Sequence, residues 1–236
     1  MKFKHYLNEG RSVSIDKEAA IGYIKTNCKK NYNFFMKKKD WIFRGVDSIS
    51  SEYIIIDTNK GRPRVSANTQ NYFTLLMDNL PSWKKYPKRS HSIICATDQE
   101  NAKSYGTLYV VIPYDNTNIG IAPDGDIWWS FKETHILDFN DTISKMFRKY
   151  KLPARNWKEL KSSLIELNKG NIIRQGGFGV FDRNKDIIKE MDYIYSPEYN
   201  NFKHGLKNMS YGKEIWIQGK SIMIDERIFW GIMDEI

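Results

Sequence analysis

The sequence has little cysteine and no long apolar run. Its two cysteines, Cys28 and Cys95, are too few for a disulfide framework and lack the paired spacing of a zinc site. The longest apolar stretches, such as residues 53–56 and 108–113, are far too short to span a bilayer. Residues 1–5 contain no apolar signal core. We therefore expect a cytoplasmic protein with reduced thiols and no membrane contact.

Internal repeats, low-complexity tracts and linkers rich in proline, glycine or serine are also missing. Hydrophobic residues make up 41% of the 236 residues and aromatic residues 14%, which is enough to bury a core and argues against disorder. We predict a single domain over residues 1–236. Within it, residues 1–40 form a helical N-terminal extension, and residues 41–236 form the body of the fold.

Acidic residues are the scarcer of the two charge types. The chain has 37 lysines and arginines against 28 aspartates and glutamates, a net charge of +9. A nucleic acid, an acidic protein face or a phosphate-rich ligand would each be attracted to such a chain. The densest basic runs, residues 37–39 and 84–89, fit a solvated face equally well.

Turn and capping signals divide the chain into short helices and strands. Asp16 and Asp98 are typical helix N-caps, and Pro81 is expected to end a helix. The helical patterns cover residues 16–25, 67–80, 99–105, 141–150, 156–168 and 197–209. The strand patterns cover residues 41–46, 53–57, 92–97, 107–112, 214–218 and 221–224, and residues 113–126 are predicted to be a long loop. Strands and helices mix without regular βαβ alternation, which predicts an α+β fold.

Two strand ends carry ionic side chains with chemical potential. Arg44 stands before Gly45 at the end of a short strand, where its guanidinium can enter a cleft and grip phosphate. Glu214 begins a strongly apolar strand, where an unpaired charge is costly. At the rim of a cleft it can stabilise a developing cation. The alternatives are a water-facing arginine and a glutamate paired with Lys213 or Lys220.

A third pattern places small hydroxyl groups around a strand that leads into a helix. Ser92 and Thr97 flank the apolar run between them and offer hydrogen-bond donors to a ligand. The alternative is a buried strand followed by a capped helix, in which both hydroxyl groups serve the backbone.

In this order, strand-arginine, strand-hydroxyl-helix and strand-glutamate, the patterns resemble the mono-ADP-ribosyltransferase family of the Arg–Ser–Glu class. The resemblance runs in fragments from residue 41 to residue 224. The second pattern is Ser90-His91-Ser92 or Cys95-Ala96-Thr97 instead of Ser-Thr-Ser. Gly212 stands where many members carry the Gln or Glu that selects the acceptor.

The resemblance implies a mixed β core split into two small sheets with flanking helices, with residues 41–236 as the catalytic core. It implies NAD as the substrate, no metal, and release of nicotinamide through an oxocarbenium-like transition state. The catalytic residues implied are Glu214 for the cation, Arg44 for the pyrophosphate, and Ser92 or Thr97 for the ribose and the glutamate. The remaining NAD contacts implied are Gly45 beside Arg44, and Tyr72, Phe73 or Tyr105 stacking on nicotinamide. The alternative for each of the three aromatic residues is packing in the core.

The acceptor of ADP-ribose is expected to be RNA, DNA or protein, and the charge together with Gly212 favours nucleic acid. A toxin, defence enzyme or phage effector of a bacterium or phage-infected host fits the resemblance, and a toxin would have an antitoxin partner.

Two other functions fit parts of the sequence. A non-enzymatic nucleic-acid-binding protein would use the basic residues and exposed aromatic rings. A metal-dependent nuclease would use Asp124 and Asp126, although a surface turn explains the pair equally well. The four histidines, His5, His91, His135 and His204, lack ligand spacing and predict no zinc. We expect Trp128, Trp129 and Phe131 to pack in the core or against a strand, and a base-stacking surface is the alternative.

Overall fold

The computed structural model describes residues 10–47, 51–64, 72–132, 139–151 and 185–236. Within these ranges nine strands form one antiparallel sheet, in the order β1-β3-β9-β5-β2-β4-β8-β6-β7. The strands are β1 (Arg11–Ser14), β2 (Phe43–Val46), β3 (Tyr53–Asp57), β4 (Ile93–Ala96), β5 (Thr107–Pro113), β6 (Asn118–Ile121), β7 (Lys203–His204), β8 (Glu214–Gln218) and β9 (Lys220–Asp225).

The helices between the strands make the fold α+β, as predicted. They are α1 (Lys17–Asn27), α2 (Lys29–Lys38), α3 (Tyr72–Asn79), α4 (Gln99–Lys103), α5 (Phe139–Lys149), α6 (Lys185–Ile194) and α7 (Glu226–Ile232). Both predicted N-caps are confirmed, since Asp16 accepts from the Ala19 N–H at 2.8 Å and Asp98 from the Glu100 N–H at 3.0 Å. In the described part of the chain, no helix has the length and apolar character needed to cross a membrane.

The expected split into two small sheets is wrong, because the strands form one continuous sheet. The strand pairing at the centre of this sheet is nevertheless short. β2 and β4 are joined by a single residue pair, Phe43 with Ala96, whereas each of them pairs over four residues with its other neighbour. The two halves of the sheet therefore meet at one point and diverge beyond it.

Two predicted elements are wrong for local reasons. Residues 113–126 are not one loop, because β6 lies within them. Gly120 lies in this strand and allows close packing, because a Cβ there would lie 2.1 Å from a ring atom of Trp216. The predicted helix over residues 197–209 is instead the short strand β7 followed by a 3-10 turn at Leu206–Asn208, and Gly205 between them has a φ of +78°.

Some elements and one buried position differ from the sequence-based predictions. The patterns missed β1, α6 and α7, and they gave no bounds for α2 within the expected helical extension. The helix predicted over residues 156–168 lies outside the described residues. Trp129 is 67% exposed, so the prediction that it packs in the core is wrong, while Phe131 is buried as expected.

The buried apolar residues form two hydrophobic cores. One contains aliphatic strand residues together with the helices at the two ends of the chain, such as Ile24, Phe35 and Phe229. The other is rich in aromatic rings, among them Phe73 and Trp216. Residues 11–38 supply the edge strand β1 and the helices α1 and α2, so this part of the predicted extension belongs to the same sheet and core.

Strand β8 alternates between the two cores. Ile215 and Ile217 enter the aliphatic core, and Trp216 enters the aromatic one. Because successive strand residues point to opposite faces, Glu214 shares its face with Trp216. The apolar alternation of this strand therefore directs the Glu214 carboxylate to the aromatic side of the sheet.

Substitution of Gly45 by alanine should destabilise the protein. A Cβ at Gly45 would lie 1.9 Å from the backbone oxygen of Ala102 in α4, so strand or helix must move. We expect a loss of about 1–3 kcal/mol in the free energy of unfolding, measured by urea denaturation. Gly22→Ala is the matched control, since open space surrounds Gly22 in α1. Alanine at this helical position should raise the free energy of unfolding by about 0.5–1 kcal/mol. Equal effects at the two positions would contradict the close packing.

Candidate active site

A cavity of about 510 Å³ opens where β2 and β4 diverge. Residues of both strands line it, together with parts of α4 and of the segment after β6. Its charged lining includes Arg44, Arg64, Arg89, Asp124, Asp126 and Glu214. Cavities of a few hundred Å³ with convergent polar groups are typical ligand sites.

Arg44 and Glu214 both line this cavity, although they come from β2 and β8, which are far apart in the sequence. Arg44 is 6% exposed. Its Nη1 donates to the backbone oxygen of Ile94 on β4, so the side chain bridges the two strands where their own pairing has stopped. Arg44 therefore stabilises the gap between β2 and β4. The sequence pattern predicts that the same arginine binds a ligand.

Glu214 is held by a second arginine, Arg89, which is 3% exposed. The Nε and Nη2 of Arg89 donate to Oε1 of Glu214 at 3.2 and 2.8 Å, and its Nη1 donates to the Thr74 hydroxyl at 3.0 Å. Oε2 of Glu214 accepts from the Ile127 backbone N–H at 3.3 Å. Burial of two charges is tolerated only when each has partners, and this pair meets that condition.

The segment that carries Arg89 is fixed by one face of β8. Beyond the Glu214–Arg89 pair, the Trp216 indole N–H donates to the Pro87 backbone oxygen at 3.0 Å. The Gln218 side-chain oxygen accepts from the Lys88 N–H at 2.9 Å. Alternate residues of the strand thus hold three consecutive positions, and the guanidinium cannot drift along the strand without breaking these bonds.

Helix α3 braces the same segment from the other side. Thr74 contacts Arg89, and one turn later the Asp78 carboxylate accepts from the Ser90 N–H at 3.3 and 3.4 Å. Burial raises the pKa of Asp78 above its ordinary value, and the hydrogen bonds with Ser90 oppose that shift. Thr74 and Asp78 are four residues apart, so they lie on one face of the helix.

The two predicted hydroxyl residues, Ser92 and Thr97, do not line the cavity. Ser92 donates to the Lys88 oxygen at 2.8 Å and closes the turn that carries Arg89. Thr97 donates to the Ser210 oxygen and accepts from the Lys213 N–H, both at 2.8 Å. Both hydroxyl groups therefore fasten the backbone beside the Arg89–Glu214 pair, and a direct contact of either with a ligand stays a prediction.

The predicted NAD-contacting residues are distributed unevenly around the cavity. Gly45 and Tyr105 line it, and Tyr105 is 54% exposed. Phe73 is fully buried in the aromatic core, and the side chain of Tyr72 lies outside the described residues. Trp129 lines the cavity as well, so two exposed aromatic rings border it.

Asp126 adds a second carboxylate beside Glu214. It caps the short turn Ile127–Trp129 by accepting from the Trp128 N–H at 2.9 Å. Burial raises its pKa above the ordinary aspartate value, the Trp128 bond lowers it, the nearby Glu214 charge raises it, and Arg89 lowers it. In the described ranges, no group of three or more His, Cys, Asp or Glu side chains is arranged to hold a metal ion.

No local pattern in the sequence indicates the role of Arg89. It stands in the basic run of residues 84–89, which fits a solvated face, and its neighbour Lys88 is exposed. Nothing in that run distinguishes the buried arginine from the exposed lysines. For Asp126 the sequence indicates only a metal ligand or a surface turn.

Comparison with profiles of known protein families, with curated proteins and with solved structures finds no match to this chain. The function is therefore inferred from the geometry and chemistry of the cavity.

Removal of Arg89 should cost stability, because it leaves the Glu214 carboxylate buried without a counter-charge. For Arg89→Met we expect a loss of about 3–5 kcal/mol in the free energy of unfolding, measured by urea denaturation. The double variant Arg89→Met, Glu214→Leu should recover much of this loss, since it removes both charges.

Arg11→Met is the control for this variant, because Arg11 is an exposed arginine on the edge strand β1. Its unfolding midpoint should stay at the wild-type value. A wild-type midpoint for Arg89→Met would contradict the assignment of Arg89 as the residue that compensates the charge of Glu214.

Proposed function

We propose that the protein is an NAD-dependent mono-ADP-ribosyltransferase, which breaks the bond between nicotinamide and ribose and transfers ADP-ribose to a macromolecule. The observation that carries the proposal is the meeting of Arg44 and Glu214 in one cavity. These are the first and last residues of the pattern that resembles the family. Their convergence was expected from the resemblance and from nothing else in the sequence.

The charge of the cavity suits a dinucleotide. NAD carries a pyrophosphate, and guanidinium groups bind phosphate oxygens through paired, charge-assisted hydrogen bonds. Arg44 and Arg64 both line the cavity and are the candidates for that contact. Arg89 lines it as well, but its guanidinium forms the ion pair with Glu214. The two aromatic rings at the border, Tyr105 and Trp129, are suited to stacking on a flat base or on nicotinamide.

Glu214 is suited to stabilising a cation. When nicotinamide leaves, positive charge develops on the ribose ring, and a fixed carboxylate lowers the energy of that transition state. A carboxylate accepts about four hydrogen bonds. Glu214 accepts two from Arg89 and one from Ile127 in the described structure, which leaves room on Oε2 for a ribose hydroxyl. Arg89 thus orients the carboxylate without occupying it fully.

We infer that the acceptor is a nucleic acid, because the chain carries a charge of +9 and exposes aromatic rings beside the cavity. Protein remains the other acceptor class to be tested. A role as a toxin with an antitoxin, as a defence enzyme or as a phage effector is proposed on the resemblance alone.

Nicotinamide release from NAD tests the reaction class. Purified wild-type protein is incubated with NAD and with RNA, DNA or cell lysate as acceptor sources. Glu214→Gln should lower the release rate about 100- to 1000-fold, since it removes the charge that the transition state requires. Arg44→Lys should mainly raise the KM for NAD, because it replaces the paired donors of guanidinium by a single ammonium group.

Glu190→Gln is the control, since this carboxylate lies in α6, pairs with Lys149 and does not line the cavity. If Glu214→Gln unfolds, Glu214→Asp is measured in its place. Aspartate keeps the charge but places it one methylene further back. If the wild type releases no nicotinamide with RNA, DNA or cell lysate, the proposal is wrong. Steeply salt-dependent nucleic-acid binding would then favour the non-enzymatic alternative.

A further inference from the structure

Asp126 stands beside Glu214 at the start of one short turn. The side chain of Asp126 accepts from the Trp128 N–H, and the next residue, Ile127, donates its N–H to Oε2 of Glu214. Both carboxylates line the cavity. The turn Ile127–Trp129 thus binds one carboxylate through each of two successive N–H groups, which keeps the two acids close to each other.

Backbone hydrogen bonds fix the two carboxylates relative to each other. The Glu214 N–H donates to the Asp124 oxygen at 3.0 Å, and the Ala122 N–H donates to the Glu214 oxygen at 2.9 Å. The ammonium group of Lys213 also donates to the Pro123 oxygen. Hydrogen bonds therefore hold residues 122–127 against the start of β8. The position of Asp126 does not depend on an exposed side-chain contact.

The two acids differ in their partners. Glu214 forms a buried ion pair with Arg89, whereas Asp126 accepts from a backbone N–H and forms no ion pair within 4 Å among the described residues. The charged groups nearest to Asp126 are Glu214 and Arg89, and Asp124 and Lys213 belong to the segments packed beside it. Two neighbouring acids in unlike environments are the usual basis for a division of acid–base roles.

We propose that Asp126 is the general base of the transfer reaction, while Glu214 stabilises the cation. This inference rests on the proposed function. Bond cleavage leaves the electron pair of the C1′–N bond on the nicotinamide nitrogen, where it cancels the positive charge of the ring. A lone pair of the acceptor forms the new bond to C1′. The proton that the acceptor sheds passes to the Asp126 carboxylate and then to water.

The pH dependence follows from this assignment. Asp126 takes a proton only in its ionised form, so transfer should slow as the pH falls through its pKa. Burial places that pKa above the ordinary aspartate value, with a further rise from Glu214 and opposing effects of the Trp128 bond and Arg89. The acidic limb of the wild-type profile should therefore lie at a higher pH than an exposed aspartate would give.

The substitution Asp126→Asn should impair catalysis without impairing folding. Asparagine caps a turn as well as aspartate does, so its oxygen can keep the hydrogen bond from Trp128, but it cannot accept a proton. We expect kcat for transfer of labelled ADP-ribose to drop about 100-fold or more, with the KM for NAD near the wild-type value. The acidic limb of the remaining activity should no longer lie at the pH of the wild-type limb, because the proton acceptor that sets it is gone. The matched control is Asp98→Asn, the same change at an N-cap that does not line the cavity.

Azide gives a readout that a purely structural role would not produce. It is already an anion and sheds no proton when it attacks C1′, so it should restore nicotinamide release to Asp126→Asn while giving the wild type little gain. A stable Asp126→Asn variant that keeps the wild-type rate, keeps its acidic limb at the wild-type pH or fails to respond to azide would overturn the assignment. Wild-type protein that releases no nicotinamide would refute the proposed function, and the assignment with it, before any variant is compared.

Discussion

The buried ion pair between Arg89 and Glu214 is the interaction around which this site is built. Two charges removed from water are stable only when each finds several partners. Arg89 therefore requires Thr74 of α3, and Glu214 requires the backbone N–H of Ile127. Helix α3, strand β8 and the segment after β6 must all be in place before the pair is satisfied, so folding and assembly of the site are the same event.

The cavity itself exists because the sheet fails to pair fully at its centre. β2 and β4 share one residue pair and then separate, which leaves backbone groups without a ladder partner. Arg44 satisfies one of them, the Ile94 oxygen, from the opposite strand. A single polar side chain thus stabilises the opening and faces the space that the opening creates. This double role accounts for a charged residue in the middle of an antiparallel sheet.

The hydroxyl groups around β4 illustrate how a sequence pattern and a structural role can differ. Small hydroxyl residues beside a strand predict either a ligand contact or a backbone contact, and the two readings share one pattern. Here Ser92 closes the turn before β4, and Thr97 binds the segment that precedes Glu214. Their effect on the site is indirect, since they hold in place the backbone that presents Arg89 and Glu214.

The sequence by itself determined the α+β class, most of the strands, the N-caps at Asp16 and Asp98, and the candidacy of Arg44 and Glu214. These features depend on local periodicity, capping chemistry and the cost of a charge in an apolar strand, all of which are written in short windows. Only the tertiary structure decided that the sheet is single, that Arg89 is buried against Glu214, and that Asp126 joins them. Those outcomes depend on which distant segments become neighbours, and an arginine in a basic run carries no local mark of the carboxylate it will meet.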